Sequence, residues 1–400
     1  MKKLSVLLAV LVIAGLLITS CAPAATPAPT AAPAKAAEPT KAPEPTKAPE
    51  PTKAPAPTVA PAATKAPEPT KAAEPTKAAE PTKAAAAASP TAPPMKCEKL
   101  ANAPTVKPGE LGSPEKPIVI GFVPSGDTGK ITKAGTAMAD CLTQMTGLTY
   151  KIEVGTSFAA SIEAMGAKKA QVGFLNTTSA MLGQLKYGIE PALLSIRKYS
   201  TNAVDPDKAE AGKLLPYYKG QFIASKASGI KSFADLKGKN FCFVDPTSAS
   251  GHILPRIVLA ANGINPDKDL KNVQFAGSHN NVAIAVYKGD CDAGVTFVDV
   301  LTDTAANLKE KYPDIADKVT AFAVTDRIPN DGMQYIKDLD PAIKAITTAG
   351  MLAMVADPGG VATLKSLYNY DSLQKVEPNY YDEFAGLLKK SGVDLSTYVK

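Results

Sequence analysis

Two short stretches of this 400-residue chain hold residues of the right type and spacing for chemistry. One is Phe241-Cys-Phe-Val-Asp245-Pro-Thr-Ser248-Ala249-Ser250-Gly251-His252, and the other is Gly277-Ser278-His279. In the first, an apolar run stops at Asp245-Pro246, small hydroxylated residues follow, and a helical pattern begins. The N–H groups at a helix start carry partial positive charge. Serines and a glycine there admit an anion and add hydroxyl donors. His279, one of only two histidines, follows a second apolar run. The chain has no Gly-x-Ser-x-Gly elbow and no zinc-type His/Cys spacing, so we expect no catalytic residue, no metal site and no cofactor. The pattern reads as a cradle for a small oxyanion.

The elements that must hold such a cradle are strands alternating with helices. Strands are expected at Ile118–Val123, Tyr150–Val154, Gln171–Leu175, Leu193–Arg197, Gly220–Ser225, Asn240–Val244, Val273–Ala276 and Asp292–Phe297. Helices are expected at Ile131–Met145, Phe158–Met165, Thr178–Leu185, Ile253–Ala261, Val282–Tyr287 and Leu301–Lys309, with Pro341–Tyr398 mainly helical. The alternation predicts an α/β fold with mostly parallel sheets. Ligands of such sheets bind at the carboxyl ends of strands. Ser125, Asn176 with Thr177, the Ser248–His252 turn, His279 and Asp299 all fall there. A polar residue at one strand end is commonly only a helix cap; five such ends converging is the signal.

The N-terminus reads differently. Lys2 and Lys3 precede an apolar run from Leu4 to Leu17, then Ile-Thr-Ser-Cys21. This is the form of a secretory leader, too short for a comfortable membrane span. The ending resembles a bacterial lipoprotein signal, with residues 1–20 removed and Cys21 lipidated. Residues 21–96 are expected to form a disordered tether. From Ala22 to Met95 there is no aromatic residue and no glycine, and an Ala-(Ala/Pro)-Glu-Pro-Thr-Lys hexad recurs at Glu38, Glu44, Glu50, Glu68, Glu74 and Glu80. Such a segment buries too little apolar surface to fold. The formal charge of +6 is modest, and Lys and Glu alternate in the repeats, so nucleic acid is not an expected partner. Cys97, Cys141, Cys242 and Cys291 remain; four cysteines allow three pairings, and we favour Cys97–Cys141 with Cys242–Cys291.

Further motifs accompany the cradle: Ile120-Gly121-Phe-Val-Pro124-Ser125, Gly229-Ile-Lys-Ser-Phe-Ala-Asp235-Leu-Lys-Gly238, and Gly289-Asp-Cys-Asp292-Ala-Gly294. In order and spacing the chain resembles the substrate-binding lipoproteins of phosphate/phosphite/phosphonate ABC importers, from about residue 118 to 388. The resemblance implies a type II periplasmic-binding-protein fold with a ligand cleft between two lobes. Lobe 1 would be residues 97–216 and 323–400 and lobe 2 residues 217–322, hinged near Tyr217–Gly220 and Ala321–Thr325. It implies ligand contacts from Ser248, Ser250, backbone N–H groups of Gly251 and His252, His279, Tyr218 and Asp299. Ala249 stands where many members have threonine, and Asn176-Thr-Thr-Ser179 stands where a Gly-Pro and a tyrosine are frequent. Ionised Asp299 would accept from a P–OH group and disfavour sulfate. The implied partners are a small phosphorus oxyanion, an ABC permease with its ATPase, and the membrane through lipid on Cys21. The protein would be a monomer on the outer side of the cytoplasmic membrane. A same-fold binding or sensor lipoprotein for an organophosphate or thiamine-like solute stays open as the alternative.

Overall fold

The computed structural model describes residues 93–377 and 379–398. The leader, the repeats and the expected lipid site at Cys21 lie outside the described residues.

The strands in chain order are β1 (Ile118–Phe122), β2 (Tyr150–Val154), β3 (Val172–Phe174), β4 (Glu190–Lys198), β5 (Leu214–Leu215), β6 (Tyr217–Ser225), β7 (Asn240–Phe243), β8 (Asn272–Phe275), β9 (Ala293–Phe297), β10 (Val319–Pro329), β11 (Gly332–Tyr335) and β12 (Ser372–Lys375). They form two sheets. The first runs β12-β4-β11-β3-β1-β2, with β5 paired to β4; the second runs β10-β6-β9-β7-β8.

Each sheet has a parallel half and an antiparallel half. β1 pairs parallel with β2 and β3, and β7 pairs parallel with β8 and β9. The remaining pairings are antiparallel. The expectation of mostly parallel sheets is thus half right. Apart from β4–β5, these antiparallel pairs join strands distant in sequence, so the chain's passage between the two sheets, and not local hairpins, sets their direction. All five residues of β1 are buried, as a central parallel strand requires.

The helix Thr128–Thr146 begins where Asp127 accepts from the Lys130 N–H (3.0 Å) and ends at Gly147, whose φ of +73° suits glycine. It buries Ile131, Ala134, Met138, Leu142 and Met145 along one face. Under the cleft, Phe122 and Phe174 stack at 5.1 Å between centroids, both essentially inaccessible. Burying each contributes about 2–3 kcal/mol. A second core of Phe222, Leu236, Phe241, Phe243, Leu259 and Val295 fills the other lobe.

The chain crosses from the first sheet to the second between Leu215 and Tyr217, and returns between Pro329 and Gly332. The first crossover falls where expected, at the start of β6, and the second lies beyond the expected 322/323 boundary. β10 runs unbroken through that boundary and pairs with β6 to Pro329, so lobe 2 spans about 217–329. Asn330 ties the two crossovers together: its N–H donates to Pro216 O (2.8 Å), and its Nδ2 donates to Ser195 O (2.9 Å) and Leu215 O (3.0 Å).

The expected helix Leu301–Lys309 does not form. Asp299 and Asn307 adopt left-handed φ values of 63° and 54°, and the Asp303 carboxylate accepts from the Ala306 N–H, so the segment turns and only Leu308–Lys311 is helical. The C-terminal part has helices Pro341–Val355, Pro358–Tyr368 and Asp382–Lys390, with β12 between the last two. Cys97 is bonded to Cys141 and Cys242 to Cys291. Next to the first bond, the Lys96 N–H donates to Asp357 (3.2 Å) and the Leu100 N–H to Met145 O (2.7 Å), so this entry segment lies against lobe 1.

Candidate functional site

Turns at the carboxyl ends of β1, β3, β7, β8 and β9 meet between the lobes. With residues from β4, the crossovers and the Pro358–Tyr368 helix they enclose a cavity of about 90 Å³. Of the residues predicted from sequence, Ser125, Asn176, Tyr218, Ser248, Ser250, His279 and Asp299 line it. Thr177, Ala249, Gly251 and His252 do not.

The β7 turn shows why the sequence folds as it does. Asp245 accepts from the N–H and hydroxyl of Thr247 (2.9 Å each), which closes the turn. Ser248 then caps a π-turn, Ala249–Ile253, that leads into the helix Leu254–Ala261; its Oγ accepts from the Gly251 N–H (3.1 Å). That N–H, expected to face the ligand, is thus taken by Ser248, whose own hydroxyl proton stays available. Gly251 serves packing: a Cβ there would lie 2.4 Å from the Val244 side chain. Gly220 has a similar role, since a Cβ would come within 2.9 Å of Ser250 O.

The two histidines part company. His279 opens the helix His279–Lys288 behind the Ser278 cap, and its N–H donates to Ser125 O across the cleft (3.1 Å). Its Nδ1 accepts from the Phe297 N–H (3.0 Å), so the proton of the neutral ring is on Nε2. Burial, with the nearby Arg197 charge, drops its pKa to about 3. His279 is therefore a neutral donor. The His252 ring instead bonds Pro246 O through Nδ1 (2.8 Å) and packs against Phe243, Phe275 and Tyr398. The expectation for His252 concerned its backbone N–H alone; its ring fills an aromatic cluster off the cleft.

Asn176 donates to Thr178 Oγ1 (3.1 Å) and Thr247 O (3.2 Å), while Thr177 donates to Pro329 O (2.6 Å). Thr177 is thereby committed to the crossover. Tyr218 is raised to about 12, first by burial and then by Asp331, so its phenol stays protonated. Asp299 departs from the fully ionised acceptor expected of it. Burial and then Asp303 raise it to about 7. Near neutrality it is shared between acceptor and donor forms.

Sequence reasoning missed Arg197, Asp331, Tyr368, Asp303 and Asn369, which also line the cleft. Arg197 binds Asp331 through Nη2 and lies over the rings of Tyr370 (4.9 Å) and Tyr218 (5.5 Å). The signal available was an arginine in an otherwise apolar strand. Among the described residues, four buried side-chain polar atoms have no partner: Asn176 Oδ1, Arg197 Nε, Asn280 Oδ1 and Asn330 Oδ1. The first three belong to residues lining the cleft. Buried polar atoms are rarely left unpaired, so their clustering marks room for a polar guest. No group of three His, Cys, Asp or Glu among the described residues is placed to hold a metal ion.

Known proteins share this architecture. The binding-protein component of an ABC phosphonate transporter from Pseudomonas aeruginosa superposes with a TM-score of 0.60 at 20% identity, over 69% of this chain and 86% of that one. PhnD1 from Prochlorococcus marinus, solved with methylphosphonate, gives 0.57 at 17% identity, over 69% and 98%. The phosphate-import protein PhnD of Mycolicibacterium smegmatis is 27% identical over 198 residues, which is 48% of this chain and 58% of that relative's length. The family model described as ABC transporter, phosphonate, periplasmic substrate-binding protein matches residues 120–381, well over half of the sequence, and to that family this chain belongs.

Proposed function

We propose that this protein captures a small phosphorus oxyanion (a phosphonate, phosphite or phosphate) between its lobes and delivers it to an ABC permease and ATPase. The observation that carries the reading is the convergence of neutral donors and unpaired polar atoms on one small interlobe cavity. The hydroxyls of Ser125, Ser248, Ser250 and Tyr218, with the His279 Nε2–H, supply the donors that anionic oxygens need. Asp299 takes a P–OH proton when ionised, which sulfate lacks near neutral pH. Binding without turnover is the expected behaviour.

We further propose that the leader ends at Cys21, that lipid there anchors the protein outside the cytoplasmic membrane, and that the Pro/Ala/Thr/Lys/Glu repeats act as the tether of a monomer. At ~3.1 Å per residue, a fully extended tether of about 75 residues would reach ~230 Å. Globomycin-sensitive processing and radiolabelled palmitate on Cys21 test the anchor.

Calorimetric titration of the purified full-length chain with phosphite, methylphosphonate, 2-aminoethylphosphonate, phosphate and sulfate tests the cargo. Saturable binding of a phosphorus oxyanion with no sulfate signal is expected. Silence across the panel overturns the reading.

A further inference from the structure

We infer that Arg197 neutralises the charge of the bound oxyanion and so makes the cleft select the doubly ionised ligand. This rests on the proposed function above and deepens it.

The donors already described share one property. Ser125, Ser248, Ser250 and Tyr218 offer hydroxyls, and His279 is held neutral because its Nδ1 accepts from the Phe297 N–H. None brings a positive charge. Of the lysines on the lining, Lys130 gives its Nζ to Thr304 O (3.0 Å) and Lys198 is exposed. Arg197 is the one cation withdrawn into the cleft among the described lining residues, with a side chain 18% exposed.

Its geometry leaves a hand free. The two aromatic rings cover the guanidinium, Asp331 takes Nη2, and Nε–H is buried without a partner. A planar guanidinium normally donates through two N–H groups at once to an oxyanion. Asp331 is shared: its Oδ1 also accepts from Tyr370 OH (3.2 Å) and Ser195 Oγ (3.3 Å). Burial opposes the arginine's charge, yet Asp331 and the two tyrosines outweigh it and keep the group fully protonated. The Arg197 charge is felt by His279, Asp299, Asp303 and Tyr368, which come from both lobes. The cation is therefore central to the cleft. A dianion placed among neutral donors alone would leave a charge uncompensated at low dielectric, which is costly.

The test is calorimetry of the full chain with inorganic phosphate, whose dianion still carries a P–OH for Asp299, from about pH 5.5 to about pH 9, a range that spans its second ionisation. Wild-type affinity is expected to climb with pH as the dianion forms, and Asp299→Asn, which removes the carboxyl that ionises over the same range, should steepen the climb. Arg197→Gln should lower affinity at the alkaline end by about 100-fold, the scale of a lost charge-assisted bond, and flatten the climb. Arg197→Lys should restore part of it. Arg197→Met with Asp331→Asn removes both partners of the pair, which protects folding, and should show the same flattening. Wild-type binding with an unchanged pH slope in the variants overturns the inference, whether or not affinity falls uniformly. If wild type binds none of the phosphorus oxyanions, the functional reading fails first and this inference goes with it.

Discussion

The strand-end turns and the crossover side of the cleft solve the same problem by opposite means. At the turns, Ser125, Ser248, Ser250 and His279 present neutral donors held by backbone hydrogen bonds within a few residues or across the cleft. On the crossover side, Arg197 lies over the rings of Tyr370 and Tyr218 and binds Asp331, 134 residues away in sequence. The turns can fix the shape of a ligand without responding to its charge. The crossover side responds to charge and supplies little shape. Discrimination among oxyanions needs both.

Removing donors from the turns should have an effect as large as the loss of Arg197. Ser248→Ala and His279→Ala should each weaken binding of the cognate oxyanion about 10- to 100-fold, with more lost in the pair, because each removes one charge-assisted bond. Titration calorimetry with thermal melts separates this from unfolding, and two variants with native affinity would place the ligand elsewhere.

Asp299 comes next. Its pKa rises from 3.8 to about 7 on folding, so between those values the folded state holds the extra proton. Stability therefore falls as pH climbs through that window. Asp299→Asn removes the penalty: its melting temperature should exceed wild type above about pH 7 and converge with it near pH 4. Parallel melting curves across that range would show that the carboxyl is not buried as described.

The other histidine is the control for the turns. His252→Phe keeps an aromatic ring among Phe243, Phe275 and Tyr398, so affinity should shift by no more than about 3-fold, although the lost bond to Pro246 O lowers stability by ~1 kcal/mol. A large loss of affinity would erase the distinction between the two rings. The smallest effect is expected at the exposed pair Lys311–Asp127 that bridges the lobes (3.1 Å), where Lys311→Ala should change affinity less than about 3-fold.

The contrast also explains what could be read from the sequence. The fold of the β7 turn was legible because strand, Asp-Pro stop, hydroxyls and helix start lie within a dozen residues and act locally. His279 was legible for the same reason. Arg197 and Asp331 were not, because neither belongs to a local motif and only the pairing of β4 with β11 brings them together. β10 was missed because its apolar positions are broken by Thr325, Asp326 and Arg327, where the strand bulges against β6. The pattern at Leu301–Lys309 read as helix because apolar spacing cannot reveal a left-handed residue just before it (Asp299) or within it (Asn307). His252 shows the limit of a motif: adjacency to Ser250 and Gly251 in sequence does not decide which way a ring turns.

The covalent bond between Cys97 and Cys141 has a mechanical consequence. It clamps the entry of the folded chain to the helix Thr128–Thr146, and both of its ends belong to lobe 1. Tension arriving along the polypeptide from the N-terminal side stops there and is not transmitted across Asn330 to the other half. With the proposed anchor on the N-terminal side, lobe 2 would therefore carry none of that load.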